Sequence, residues 1–400
     1  MAKVKAICFN SVILPAVNLL LMKNNESLFS EFPAISKEEW LAKIEKDLKG
    51  RSLEELDWAP EEGIRISPFA HLEDRKKTAA IGDSRDQNHW EIGQYITVTD
   101  PKAANLSVRS ALNGGVNAPL FELESQLTEQ ELSQLFEGIV PTFISTHFSF
   151  LKTDINPVDL WQNLQLFLQK NNISLQEISG SFAYDPLAAP SKLDPLISLL
   201  SGNEATPFKF VTLAANPQLG TVEALADLIL RGQTYVDQLQ DQGIIPSISS
   251  SHLQFSILLG DQFFMEIAKI RALRLLWLNV LKAYEVEPVA PTIVAHSSVP
   301  KSEDDPYQHM IRSATQSMSA VIGGAQRLYI APSDYRQANA ESRFTENPDF
   351  GPRIARNVQH LLQMESFLDR VIDPAAGSYY VEALSEQLAT RAWAIFQEKV

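Results

Sequence analysis

Thiols are nearly absent from this sequence. Cys8 is the one cysteine in 400 residues, so no intrachain disulfide can form and a thiolate metal cluster is not expected. A reducing, cytoplasmic setting fits. Basic clusters are missing too: 34 Lys and Arg face 49 Asp and Glu, a formal net charge of −15. A nucleic-acid binder would show a basic face, so no nucleic acid is expected as a partner. Long apolar runs are lacking. Lys3 and Lys5 precede an apolar stretch from Ala6 to Met22 that faintly imitates a secretory signal. Pro15 and Asn18 interrupt it, no small-x-small cleavage site follows, and a membrane span needs ~20 apolar residues. Residues 1–23 are therefore expected to be a disordered extension, with Met22 a conceivable start, and no membrane partner is expected. Motifs of common enzymes are also missing. There is no G-x-S-x-G and no Walker loop, and Gly323-Gly324 is not a G-x-G-x-x-G fingerprint.

What remains is a chain that is 45% hydrophobic, enough for a large core. Residues 36–49 read as a helix. Ser36 and Glu39 form a capping box, and Trp40, Leu41, Ile44 and Leu48 share one face. From Gly50 to Asn88 the chain is polar, with Pro60, Gly63 and Pro68. Residues 24–90 are thus expected to be an N-terminal arm, ordered mainly by packing on another subunit, because they hold too little apolar periodicity for a core of their own.

From Trp90 onward short β-rich runs recur at Tyr95–Thr99, Asn117–Phe121, Pro141–Phe148, Ile178–Tyr184, Phe208–Leu213, Ser249–Leu258, Pro291–His296 and Arg327–Ile330. Helical stretches fall near 103–113, 127–137, 157–171, 190–201, 220–241, 261–285, 304–322 and 351–370. Eight alternations predict an α/β fold, a (β/α)8 TIM barrel over 91–400. One miscounted strand would leave an open doubly wound sheet, and Ser249–Leu258 is the weakest strand because it opens on three serines. The longest helix, Asp261–Glu285, carries a stripe of Phe263, Ile267, Ile270, Leu278 and Leu281, broadened by Leu275 and Leu276. Its Arg271 and Arg274 are expected to pair with a carboxylate such as Glu266 more readily than to bind an anion.

In such a barrel chemistry sits at the C-terminal strand ends. The candidates there are Asp100, Glu122, Glu124, His147, Asp185, Asn216, His296 and Ser333. His147, Asp185 and His296 are of metal-ligating type. They come from separate strands, however, and the plainer reading is a solvated polar mouth. No catalytic, cofactor-binding or metal-binding residue is assigned from pattern alone.

Three ordered stretches carry a resemblance. FMEIAKIRALRLLW, Phe264–Trp277, resembles a signature helix of the acyl-CoA mutase barrel family. DPYQHMIRSATQSMSAVIGGAQRL, Asp305–Leu328, resembles the family segment that opens a helix on Asp-Pro-Tyr and closes it on a glycine pair. RIARNVQHLLQMES from Arg353, followed by DPAAGSYYVEAL, Asp373–Leu384, completes the series. EEWLAKIEKDLKG, Glu38–Gly50, is similar to the family's N-terminal region, while 100–240 carries little likeness. The same residues have plain physical uses, as a helix start at Asp305-Pro306 and turns at Gly323-Gly324 and Asp373-Pro374.

The resemblance implies a methylmalonyl-CoA mutase, which interconverts methylmalonyl-CoA and succinyl-CoA by a radical rearrangement with adenosylcobalamin. It also implies a pantetheine threaded through a barrel lined by small residues. The cobalamin would sit on a second, flavodoxin-like domain, its cobalt held by the histidine of a D-x-H-x-x-G loop. This sequence departs from the catalytic pattern. VTLAANPQLG, Val211–Gly220, stands where the family's Ser-Gly-Tyr-His run ends the fifth strand. YIAPSD, Tyr329–Asp334, replaces its His-Thr-Asn-Ser run. No D-x-H-x-x-G occurs, and His89 in DQNHWEIG has the wrong spacing.

These departures resemble the small, noncatalytic (beta) subunit of heterodimeric members. The expectation is therefore a chain without a cobalamin domain and without bound cofactor, partnered by a large subunit that holds adenosylcobalamin. The alternatives are an active acyl-CoA mutase barrel with a separate cobalamin domain, and a free-standing CoA-binding or scaffold protein.

Overall fold

The structure is a computed structural model that describes residues 32, 35–61, 63–74, 85–188, 193–287, 289–300, 305–335 and 349–400. The expectation for residues 1–23 lies outside them. The chain divides into two units, Met1–Leu56 and Asp57–Val400. In the first, helix α1 (Lys37–Asp47) starts on the expected capping box of Ser36 and Glu39. Trp40, Leu41, Ile44 and Leu48 form its half-buried stripe, and no residue of the helix is fully buried.

The second unit opens on an antiparallel hairpin of β1 (Trp58–Glu61) and β2 (Ile64–Ile66). Then come β3 (Glu91–Val98), α2 (Pro101–Asn113), β4 (Ala118–Leu123), α3 (Glu129–Leu135), β5 (Ser145–Phe150), α4 (Pro157–Lys170), β6 (Ser179–Ala183) and α5 (Leu193–Leu200). The rest runs β7 (Val211–Ala214), α6 (Thr221–Asp241), α7 (Pro246–Ser251), β8 (Leu253–Leu258), α8 (Phe263–Ala283), β9 (Thr292–His296), α9 (Pro306–Gly323), β10 (Arg327–Tyr329), α10 (Phe350–Met364) and α11 (Tyr379–Lys399).

The eight strands β3–β10 are parallel, in the order β6-β5-β4-β3-β10-β9-β8-β7. The two ends meet. Lys209 and Ser181 form a parallel bridge, and Thr212 N donates to Tyr184 O at 2.9 Å. That closure makes a TIM barrel and sets aside the open sheet. Ser249–Ser251 belong to α7, which Pro246 starts, so β8 begins only at Leu253. Ser249 is buried, and its backbone N–H donates to Ile245 O at 3.2 Å, an i−4 helical bond that the strand reading missed.

Outward-facing strand residues and the inner faces of the helices make one continuous core. Its densest part is aromatic. Trp161 on α4 packs against Phe182, Phe208 and Phe210, with ring centroids 6.2, 4.9 and 4.8 Å away.

Helix α8 is buried far beyond a stripe, including Leu273, Leu276, Trp277 and Val280. The reason is α11, which packs on both α6 and α8 and covers what would be their solvent side. That terminal helix was not foreseen, although its first turn lies inside the quoted DPAAGSYYVEAL stretch.

Arg271 and Arg274 do not bind Glu266, which pairs instead with Lys269 at 2.5 Å. Arg271 pairs with Asp373, and Arg274 Nη2 donates to Gly324 O at 2.6 Å. Gly324 closes α9 with φ +89°, a left-handed conformation that glycine adopts without a Cβ clash.

The hairpin was expected to belong to an arm resting on another subunit. In this chain it packs on its own barrel. Ile64 and Ile66 are buried, Gln387 of α11 exchanges hydrogen bonds with the Arg65 backbone, and Trp58 stacks on Tyr380. Glu61 also caps α6: Thr221 N and Val222 N donate to its two oxygens at 2.9 Å. The N-cap residue of α6 is Gly220, which has no side chain to do this, so a carboxylate from the hairpin satisfies the helix donors.

The aromatic cluster yields a direct test. Trp161→Ala removes a fully packed indole, and such truncations cost about 3–5 kcal/mol. Urea unfolding should show a midpoint shifted by that amount at unchanged slope. A loss near zero would mean that the cluster is not the core's keystone.

Candidate functional site in the barrel lumen

Strand alternation divides the barrel residues cleanly. Ile92, Phe121, Phe148, Phe182, Phe255, Ile293 and Leu328 join the outer core, so their neighbours Gly93, Leu120, His147, Ser181, Gln254, Val294 and Arg327 face the lumen. Several side-chain pairs confirm this by spanning the strand between them.

At the N-terminal end, Arg327 on β10 donates from Nε to Glu91 Oε2 at 2.6 Å and from Nη1 to Gln254 Oε1 at 3.2 Å. Gln254 Nε2 donates to Thr212 Oγ1 at 2.9 Å. Ser145 donates to Glu91 and lies 2.7 Å from Ser179 Oγ. Lys209, on the same rim, is pushed down to about 8 by burial and by the charge of Arg327.

Above this layer Leu120, Val294 and Tyr329 form a small apolar cluster with Tyr95, separate from the main core. Tyr329 fills the lumen because Gly93 opposes it. A Cβ on Gly93 would sit 2.4 Å from the Tyr329 ring.

Near the C-terminal mouth Tyr95 is the hub. Its ring lies 5.4 Å from Tyr329, 4.7 Å from Tyr335 and 6.0 Å from His296. His296 stacks on Tyr329 at 5.0 Å, and its Nδ1 shares a hydrogen bond of 2.8 Å with Tyr95 Oη. Glu122 accepts from Tyr335 Oη at 2.6 Å and from Thr97 Oγ1 at 3.2 Å.

The sequence candidates therefore separate. Glu122, His147 and His296 face the lumen. His147 Nδ1 lies 2.8 Å from Ser181 Oγ, while its buried Nε2 has no hydrogen-bond partner and stands 3.9 Å from Glu91. Asp185 is consumed by Arg231 at 2.8 Å, and Arg231 also donates to Ala214 O at the end of β7. Asp100 caps α2 and Asn216 closes a local turn. Glu124 is half-buried beyond the end of β4. Ser333 Oγ is buried without a hydrogen-bond partner. Among the described residues, no three of these types form a metal-ligating group.

The residues that fill the lumen, Glu91, Tyr95, Gln254, Arg327, Tyr329 and Tyr335, were missed. Their signal was present as alternation. In Arg327-Leu328-Tyr329 and Glu91–Tyr95 every second residue is polar, aromatic or glycine.

Comparison with known proteins bears on what this lumen belongs to. The methylmalonyl-CoA mutase profile matches residues 220–399. The methylmalonyl-CoA mutase small subunit of Porphyromonas gingivalis is 30% identical, with 94% of this chain and 64% of that protein aligned. The chain belongs to the methylmalonyl-CoA mutase family. A small subunit from Streptomyces virginiae is 26% identical over 93% of this chain and 64% of its own length. A methylmalonyl-CoA mutase of Cereibacter sphaeroides is 28% identical over 90% and 57%. The chain thus spans somewhat under two thirds of the length of these relatives. Among the described residues, no helix is long and apolar enough to cross a membrane.

The lumen histidines set a pH dependence. Desolvation, followed by the charge of Arg327, holds His147 well below its ordinary value and half-buried His296 down at about 4. Both are therefore neutral in the fold, while in the unfolded chain they take protons near 6.5. Stability is full above that pH and falls between about 6.5 and 4, by at most ~1.4 kcal/mol per pH unit for each histidine. Urea midpoints should drop from pH 7 to pH 5, and His296→Gln should flatten that drop. An unchanged slope in the variant would contradict the assignment.

Proposed function

We propose that this chain is the noncatalytic small subunit of a heterodimeric methylmalonyl-CoA mutase. Its large subunit would hold adenosylcobalamin and interconvert methylmalonyl-CoA and succinyl-CoA. One observation carries the reading. The axis through which a catalytic family member would thread pantetheine is occupied here by the Glu91–Arg327–Gln254 layer and by the rings of Tyr329, Tyr95, His296 and Tyr335. The fifth barrel strand ends in Ala214 and is followed by Ala215 and Asn216, which offer no ring or imidazole to orient an acyl group. The relatives named as small subunits align over most of the chain, in keeping with a partner subunit.

The residues do not fit a corrinoid. Cobalt ligation calls for an imidazole presented from a loop with a free nitrogen. His252 and His309 are buried, and His309 and His360 stand within helices α9 and α10 and not on loops. His147 and His296 are enclosed in the lumen. His71 and His89 have Phe69 and Gln87 two places earlier, where a D-x-H-x-x-G loop has its aspartate. The role left to this chain is structural: it presents a rigid barrel and the half-buried stripe of α1 to a partner. The Tyr95–His296 pair is the observation that favours a catalytic barrel instead, since it puts a titratable pair where such chemistry would sit.

Turnover in the reconstituted pair separates the two. The isolated chain should show none. In complex with the large subunit, His296→Gln and Tyr95→Phe should leave kcat within about two-fold. A loss of more than about ten-fold at unchanged KM would put chemistry in this barrel and defeat the proposal.

A further inference from the structure

Barrel helices usually show water a charged face, and α9 does not. Its exposed positions are Tyr307, Gln308, Ile311, Thr315 and Met318, one turn apart and all uncharged. The neighbouring α10 ends in a second apolar strip, Leu361 and Met364, continued by Phe367 and Val371. Helices α9 and α10 pack on each other, and Asn88 Nδ2 ties the end of α9 to the turn after α10 by donating to Val321 O at 2.8 Å and Leu368 O at 3.0 Å. Charges stand along α10 and the turn that follows it, at Arg353, Glu365 and Arg370.

Phe367 is the telling residue. It is 58% exposed, and its φ is +52°. A bulky side chain in that conformation costs about 1–2 kcal/mol, and the one contact given for its ring is the Arg370 guanidinium, 5.9 Å from the centroid, worth about 0.5–1 kcal/mol at an exposed site. Glycine would serve the turn better. A phenylalanine that suits neither the backbone nor the solvent is explained by a surface that covers it.

We infer that this α9–α10 flank is the docking surface for the large subunit, an inference that rests on the proposed heterodimer. Ile311, Met318, Leu361, Met364, Phe367 and Val371 are each 36–69% exposed, so together they show water an apolar area on the order of a few hundred Å2, the size of the largest patch on a typical monomer and a substantial part of the ~800 Å2 that a standard interface takes from one partner. A second copy of this chain is the poorer occupant, because two chains each carrying −15 repel one another. Relatives called small subunits supply the other kind of partner, a larger and different chain with an apolar face of its own.

The test titrates purified full-length chain against the large subunit by calorimetry, with size-exclusion light scattering on the free chain. Phe367→Gly should fold with an unchanged or raised Tm and bind at least ten-fold more weakly. Met364→Glu should do the same without relieving the backbone. Leu166→Glu, on exposed α4, is the control and should bind as wild type. If wild type binds and both flank variants bind equally well, the flank is wrong and the heterodimer stands. If wild type does not bind the large subunit at all, the heterodimer reading fails and the flank with it. A free chain that is dimeric, and that Met364→Glu makes monomeric, assigns the flank to a second copy and overturns the inference.

Discussion

A guanidinium inside a barrel must be paired, because an unpaired buried charge costs several kcal/mol. Arg327 meets that demand with Glu91 and Gln254, and most of the lumen follows from it. Glu91 in turn takes Ser145, and Gln254 takes Thr212, so one charge on β10 fixes side chains from four other strands. The same positive charge, together with desolvation, keeps His147 and His296 neutral. A neutral His296 can stack on Tyr329 and share the hydroxyl of Tyr95 with no counter-ion. The ionic layer below and the aromatic layer above therefore act as one filling.

The three stretches that resemble the mutase family are joined physically. Arg271 and Arg274, one turn apart on α8, reach Asp373 in one direction and the carbonyl of Gly324 in the other. One helix thus anchors both the turn that closes α9 and the turn that launches α11. This gives the motifs a mechanical meaning that holds with or without catalysis: they set the last third of the barrel and its covering helix. Scaffold and chemistry are separable, and here the scaffold residues are present while the lumen is occupied.

The eight strands and seven of the intervening helices were legible because each has a clear period and clean punctuation. The capping box at Ser36 and the Asp-Pro start at Asp305 act locally, so local residues reveal them. What was not legible depended on distant partners. Tyr329 points into the lumen only because Gly93, more than 200 positions away, leaves room for it. The Asp57–Ile66 segment looked too polar to order itself, and it is ordered by α6 and α11 through Glu61, Trp58 and Gln387. Asp185 looked like a site candidate and the α8 arginines were matched to Glu266, since sequence shows charges but not which distant partners consume them.

A filled lumen makes a claim about ligand as well as about turnover. The direct measurement is a calorimetric titration of the isolated chain with methylmalonyl-CoA, beside Tyr329→Ala and Tyr95→Ala. Wild type should show no saturable heat up to ~1 mM, the upper end of ordinary substrate affinities. Saturable binding to wild type that weakens in both alanine variants would mean that the lumen admits the ligand and uses those rings to hold it.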